Sequence, residues 1–142
     1  MVRRLKDSDI DRVLGIWLDA SVRAHDFMEK EFWESRLPEM RDIYLPASET
    51  YVSVQKGEVK GFLSLHGDTL AALFVDPDAQ GRGIGTRLMA KAKSLRNRIY
   101  LTVYRENRRA IDFYLKCGFR GVKEQVDEHT GHKELLMVFS VY

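Results

Sequence analysis

The sequence predicts an α/β fold, with a mixed central sheet of about seven strands flanked by about four helices. Three observations lead there. Segments with apolar residues at helical spacing alternate with short apolar runs of strand length. The 142 residues are 44% hydrophobic, which suits one moderate core and one domain over 1–142. A glycine-rich turn in the middle of the chain joins a strand-like run to a helix.

Residues 2–5 read as a short edge strand. Ser8 is the expected N-cap of the first helix, with Asp11 three residues on. Ile10, Val13, Leu14, Trp17 and Leu18 then mark one face of a helix over residues 9–22. A second helical region covers 29–44, carried by Phe32, Trp33, Leu37, Met40, Ile43 and Tyr44. Pro38 is expected to break or kink it, because proline removes a helix hydrogen bond. The loop between the two holds His25, Asp26 and Phe27.

Residues 50–54 and 59–65 read as a hairpin around Lys56-Gly57-Glu58. Residues 70–75 are continuously apolar, which predicts a strand buried on both faces. Ile84, Leu88, Ala92 and Leu95 place a helix over 83–96, and 99–104 form a strand. Residues 108–116 form the last helix, closed by Gly118 as its C-terminal glycine. Two strands, 119–126 and 135–141, end the chain around a charged connection.

Charge narrows the partners. The net charge of +2 does not imply nucleic acid. Basic residues concentrate between Arg82 and Arg109, against Glu106 alone. That pattern fits a basic surface beside a polyanionic ligand as well as a solvated helix face. Cys117 is the only cysteine, so no disulfide forms within the chain, and it reads as a small buried hydrophobe. The charged N-terminus is not a signal peptide and no apolar run approaches a membrane span. A cytoplasmic protein without membrane contact is the expectation. His129 and His132 fall in the charged connection and form no metal signature.

The strongest local signal is Gln80-Gly81-Arg82-Gly83-Ile84-Gly85. Glycines permit turn geometries that other residues resist, and they leave their amides open. The helix that follows offers unpaired N–H groups and the positive end of its dipole. Together they suit a pyrophosphate. Ile84-Gly85-Thr86 lacks the lysine of an ATP-binding loop, and Thr86 stands where a dinucleotide fold wants its third glycine.

This segment resembles motif A of the GCN5-related N-acetyltransferase superfamily, whose pattern is Q/R-x-x-G-x-G/A. Gln80, Gly83 and Gly85 match in register, and residues 73–77 resemble its lead-in strand. Residues 107–119 resemble its motif B through Asn107, Ala110, Phe113, Tyr114, Gly118 and Phe119. In overall character the chain is similar to the small single-domain bacterial members, some of which acetylate protein lysines.

The resemblance implies a sheet splayed at the cofactor cleft and acetyl-CoA as donor. It implies that Leu73, Phe74 and Val75 hold the pantetheine arm by their backbone. Gln80, Gly81, Arg82, Gly83, Ile84, Gly85 and Thr86 would cradle the pyrophosphate, with Asn107 and Tyr114 also at the cofactor. Tyr114 matches the usual general acid, which protonates the departing thiolate. Relatives often carry a glutamate on the central strand as base, where this chain has Ala71 and Ala72. His25 is the first candidate in its place, followed by His66, Asp26, Glu31 and Glu34, and a water chain with no single base is the alternative. Trp17, His25, Phe27 and Trp33 would line the acceptor groove, together with the connection 127–134.

The implied activity is acetyl transfer to a primary amine by direct attack in a ternary complex, with a protein lysine or N-terminal amine as acceptor. A small-molecule amine and a non-catalytic acyl-CoA-binding module are the alternatives. The chain is expected to be a monomer or homodimer.

Overall fold

A computed structural model describes residues 1–142. Its seven strands are β1 (Val2–Arg4), β2 (Glu49–Gln55), β3 (Glu58–His66), β4 (Thr69–Val75), β5 (Arg98–Tyr104), β6 (Arg120–Val126) and β7 (Lys133–Ser140). They form one sheet in the order β1-β2-β3-β4-β5-β7-β6. Every pairing is antiparallel except that of β4 with β5, which is parallel. The mixed α/β architecture read from the sequence is therefore the one observed.

The helices are α1 (Ile10–Ala24), α2 (Lys30–Ser35), α3 (Leu37–Glu39), α4 (Leu45–Ala47), α5 (Ile84–Leu95) and α6 (Arg108–Lys116). They cover both sheet faces, because strand side chains alternate between them. Val52, Phe62 and Ala72 pack with Val13, Leu14, Trp17 and Trp33 of α1 and α2. Tyr51, Leu63 and Leu65 pack with Ile84, Leu88 and Met89 of α5 and with Ile111 of α6.

Three local expectations change. Ser8 is not the N-cap; it lies inside a short 3-10 turn, Asp7–Asp9. The buried Asp9 carboxylate does the anchoring, accepting from the Lys6 N–H at 2.8 Å and from Arg3 Nη1 at 2.7 Å. The break after α2 falls at Arg36, not Pro38. Pro38 sits in the first turn of α3, where its missing N–H is not needed, and the chain runs on through a π-turn, Met40–Tyr44, into α4. The strand at 70–75 is not buried on both faces: Ala71 is exposed and Leu73, Phe74 and Val75 are half-buried. The reason is an opening beside β4.

Two contacts set the start of α5 against the sheet. At Gly61 of β3 an added Cβ would lie 2.9 Å from the Phe74 carbonyl oxygen and 3.1 Å from Ile84 Cγ2, so only glycine lets α5 settle this close. Arg12 of α1 reaches Asp76 Oδ2 at 2.5 Å and the Val59 carbonyl at 3.0 Å. Asp76 Oδ1 in turn accepts the Asp78 N–H at 3.0 Å, which holds the chain as it leaves β4 for the glycine turn.

Candidate active site

The site begins where the sheet comes apart. β4 and β5 share one register point, Thr69 opposite Tyr100, and diverge beyond it. A bulge disturbs the β3–β4 ladder: Ser64 faces Ala72 and Leu65 faces Leu70, so Ala71 has no partner. The Asp76 N–H donates to the Lys60 carbonyl on the β3 side. Peptide groups alternate along a strand, so those of Leu73 and Val75 turn the other way, into the gap.

A groove of about 1150 Å³ runs through this gap. At one end stands the glycine turn. Gly81 and Gly83 have φ of +82° and +79°, a region that side chains resist. Gly83 precedes α5 without any side-chain cap, and the first bond to its carbonyl comes from the Arg87 N–H at 3.0 Å. The amides of Ile84, Gly85 and Thr86 are left without helical partners. Gly85 packs so near Phe113 that a Cβ there would meet its ring at 3.4 Å. The bare amides and the helix dipole suit a diphosphate, so the residues present fit the donor that the sequence implies.

Arg82 sits differently from expectation, and Arg87 in the next turn also stays out of the groove. Arg82 does not line the groove, and its Nη2 lies 3.5 Å from the Asp78 carbonyl. Arg87 folds back onto the turn, donating to the Arg82 carbonyl at 3.3 Å. Arg108 and Arg109 at the start of α6 do line the groove and supply positive charge there.

Tyr114 lies on α6 about two turns beyond Asn107, and both line the groove. Its ring packs on Phe113 and Phe119 at centroid distances of 5.6 and 5.7 Å. Burial pushes its phenol up to about 12, so the hydroxyl keeps its proton at neutral pH. The sealed polar side-chain atoms without partners are Ser21 Oγ and Trp33 Nε1, and the Tyr114 hydroxyl is not one of them.

The far end of the groove is aromatic and acidic. His25 closes α1, buried to 6% exposure, and stacks on Trp33 at 4.9 Å. Phe27 and Tyr104 meet its ring edge-on at 5.7 and 5.3 Å. Trp17 and Trp33 form the wall, each 8% exposed, while Phe27 stands outside the lining and packs on Tyr104 and His132. Burial holds the His25 imidazole below its ordinary range, opposed by the Ser21 carbonyl.

Three more residues meet here: Tyr104, which carries no sequence signal of its own, and Asp127 and Glu134 at the two ends of the connection expected at the groove. Tyr104 ends β5 and donates its hydroxyl to Asp127 Oδ2 at 2.5 Å. Burial and the Asp127 carboxylate together push that phenol upward. Asp127 also accepts from the His129 N–H at 3.0 Å and Thr130 Oγ1 at 3.2 Å. Burial works against its charge, yet these donors hold it below the usual carboxylate range. Glu134 accepts from Gln125 Nε2 at 2.7 Å and lines the same end. The alternation of β7 and its pairing with β6 bring Glu134 there, a register that sequence alone does not state.

The other candidates lie elsewhere. His66 contacts the Ala47 carbonyl at 3.1 Å, outside the groove, and neither Glu31 nor Glu34 lines it. Burial raises the Cys117 thiol, and its carbonyl accepts from Lys93 Nζ. His132 Nδ1 lies 3.5 Å from Glu106 Oε1. No helix is long and apolar enough to cross a membrane.

Known proteins share this layout. The chain is 36% identical over 120 residues to the peptidyl-lysine N-acetyltransferase YiaC of Escherichia coli K12, covering 84% of this chain and 82% of that one. It is 32% identical over 129 residues to the peptidyl-lysine N-acetyltransferase YjaB of Salmonella typhimurium, covering 89% and 88%. The solution structure of apo YjaB from Escherichia coli superposes with a TM-score of 0.86 at 28% identity, covering 98% and 96%. The PaiA N-acetyltransferase of Thermoplasma acidophilum, solved with coenzyme A, shares the fold at a TM-score of 0.83 and 17% identity, covering 99% and 98%. Residues 6–119, which include the parted strands, the glycine turn and Tyr114, match the model of the acetyltransferase (GNAT) family, and the chain belongs to that family.

Proposed function

We propose that the acceptor of this acetyltransferase is a lysine ε-amine or N-terminal amine on a protein, attacked directly while acetyl-CoA is bound. Family membership makes the chain an acyltransferase with acetyl-CoA as its donor. One observation carries the reading: the glycine turn, the Leu73 and Val75 peptides that lack a strand partner, and Tyr114 all line one continuous groove through the gap in the sheet. Residues 1–142 act as a single acetyltransferase domain.

In this reading the amides of residues 83–86 bind the diphosphate. Gln80 and Gly81 complete the turn, and Arg82 contributes charge from its outer side. The peptides of residues 73–75 align the pantetheine arm, with Asn107 opposite. Tyr114 is the acid. Its raised phenol holds a proton for the departing sulfur, whose thiol has an ordinary value of about 8.5.

Trp17, Trp33 and His25 wall the acceptor end, with Phe27 packed behind them on Tyr104, and Asp26, Asp127 and Glu134 give it negative charge. A carboxylate held below the usual range is too weak to deprotonate an ammonium near 10.4, so Asp127 attracts the cation without acting as base. His25 is the only imidazole lining the groove, and its use as base requires Nε2 to part from Asn107. The relatives named as peptidyl-lysine acetyltransferases support a protein acceptor.

The test is an acetyl-CoA-dependent thiol-release assay. Lysine peptides, peptides with free N-termini, polyamines and amino acids are compared at equal concentration. The reading expects turnover with peptides above that with the small amines. Turnover confined to small amines refutes the protein acceptor. Coenzyme A binding with no release against any amine favours a binding module.

A further inference from the structure

Three hydrogen bonds form a directed chain between α1 and α6. The Ser21 carbonyl, which can only accept, lies 2.9 Å from His25 Nδ1. That nitrogen therefore carries the proton, and in the neutral ring Nε2 is an acceptor. Asn107 Nδ2 lies 3.4 Å from Nε2. The other half of the amide, Oδ1, accepts the Ala110 N–H at 3.3 Å and caps α6. The cap fixes which way the amide points, and the amide points its N–H at the imidazole.

We propose that neutral His25 is a positioning residue: it orients the Asn107 amide, and through it the first turn of α6, rather than taking the acceptor's proton. The proposal rests on the acetyltransferase reading for its effect on the donor. Stacking on Trp33 and edge contacts from Phe27 and Tyr104 leave Asn107 as the one hydrogen-bonding neighbour of Nε2. A base needs a free lone pair facing the substrate, and this lone pair is already engaged.

Protonation breaks the chain. An imidazolium has donors at both nitrogens, so Nε2–H would confront the Asn107 N–H. The amide must then turn and lose the α6 cap, or withdraw. The surrounding titratable groups do not relieve this. Tyr104 on β5 spends its hydroxyl on Asp127 of the β6–β7 connection. His132 of that connection lies beyond Phe27, and its Nδ1 lies 3.5 Å from Glu106, the neighbour of Asn107. Arg23 and Asp26 flank His25 in the chain, with Arg108 at the start of α6, and none hydrogen-bonds Nε2. The nearest residues of α2 present the uncharged Trp33. Asn107 lines the groove, so its disorder would be felt by the donor.

The decisive variant is His25→Gln, whose amide oxygen can accept from Asn107 but cannot titrate. Above pH 7, His25→Gln is expected to lose less than about tenfold in kcat, the part owed to its place in the groove wall, whereas loss of a true base costs about 10²–10⁴-fold. The acetyl-CoA KM of wild type is expected to climb as pH falls below the ordinary histidine value of about 6.5. In His25→Gln it stays flat. His25→Ala and Asn107→Ala each raise that KM, and the double variant is no worse than either alone, because both cut one chain. A merely packing role would lower the melting temperature and leave the KM independent of pH in this range.

Nitrogen NMR of the imidazole in wild type supplies a readout apart from activity. A proton on Nδ1 and a bare Nε2 are expected at pH 7.5. A ring protonated at Nε2 overturns the proposal whatever the activity. So does His25→Gln falling with His25→Ala at every pH. A wild type that binds no acetyl-CoA would instead refute the acetyltransferase reading, while the NMR would still decide the His25 tautomer.

Discussion

Thr69 of β4 lies opposite Tyr100 of β5, and it is the last point at which the two halves of the sheet are joined. That separation leaves the peptides of Leu73 and Val75 without strand partners and opens a groove between layers that are otherwise packed. Ala71 is the small exposed residue in the bulge beside it. Ala71→Trp should fill the groove and weaken acetyl-CoA binding at least about tenfold, or roughly 1.4 kcal/mol. Calorimetric titration measures this, and an unchanged melting temperature shows that the fold is intact.

Tyr114→Phe should lower kcat about 10²- to 10³-fold and leave the acetyl-CoA dissociation constant within about twofold, because only the proton source is removed. The pH profile carries a second sign. A phenol raised to about 12 stays protonated well above neutrality, so Tyr114 produces no alkaline loss of rate up to about pH 10. The rate with a lysine peptide should instead rise with pH as its amine, near 10.4, gives up its proton. A falling rate between pH 8 and 10, with the protein still folded, removes Tyr114 from this role.

Gly83 holds φ of +79°, and a Cβ there would also press Arg87 Nη1 at 3.3 Å. Left-handed geometry costs a side chain about 1–2 kcal/mol. Gly83→Val should turn the amides of the first turn away and raise the acetyl-CoA KM more than about tenfold. The loss should be smaller for a pantetheine thioester that lacks the diphosphate. Equal losses for both donors would place the diphosphate elsewhere.

Asp127→Asn and Glu134→Gln remove charge from the acceptor end; Gln keeps an oxygen for Gln125 Nε2, whereas Asn keeps one acceptor oxygen where Asp127 uses two. Each should raise the KM for a lysine peptide about two- to fivefold, the range of a partly solvated ion pair, and leave the acetyl-CoA KM unchanged. Raising salt should shrink the difference, since screening weakens such pairs. Steady-state kinetics at two ionic strengths checks both points.

Asp76 joins α1 to the end of β4 through Arg12. The Asp78 N–H and then Arg12 hold its carboxyl below the ordinary range, against some desolvation. A depressed folded value means stability that is present above about 3.9, the unfolded value, and lost as pH falls through the folded one. Asp76→Asn should therefore melt lower than wild type at pH 7, with the gap closing toward pH 3. Melting curves across that interval test the sign.

The chain announced most of its elements in one dimension. The 3.6-residue spacing of Val13, Leu14, Trp17 and Leu18, and the run 70–75, need no tertiary context to be recognised, because period follows from backbone geometry. The glycine turn was also legible, since positive φ at Gly81 and Gly83 restricts the residue type itself. Motif A and Tyr114 sit in segments short enough for local spacing to place them. Ser8 yields its place to Asp9 because Arg3 and the Lys6 N–H bind that carboxylate, and Pro38 starts a helix instead of ending one because the break before it falls at Arg36.

The acceptor end was decided only by folding. Tyr104, Asp127 and Glu134 meet through strand register, and Asn107 finds His25 from the other end of the chain. Such encounters depend on which strands pair and which do not, and the energy that selects them is spread over the whole core. Spacing along the chain fixes a helix turn or a glycine loop, but not the partner of a side chain from a distant segment.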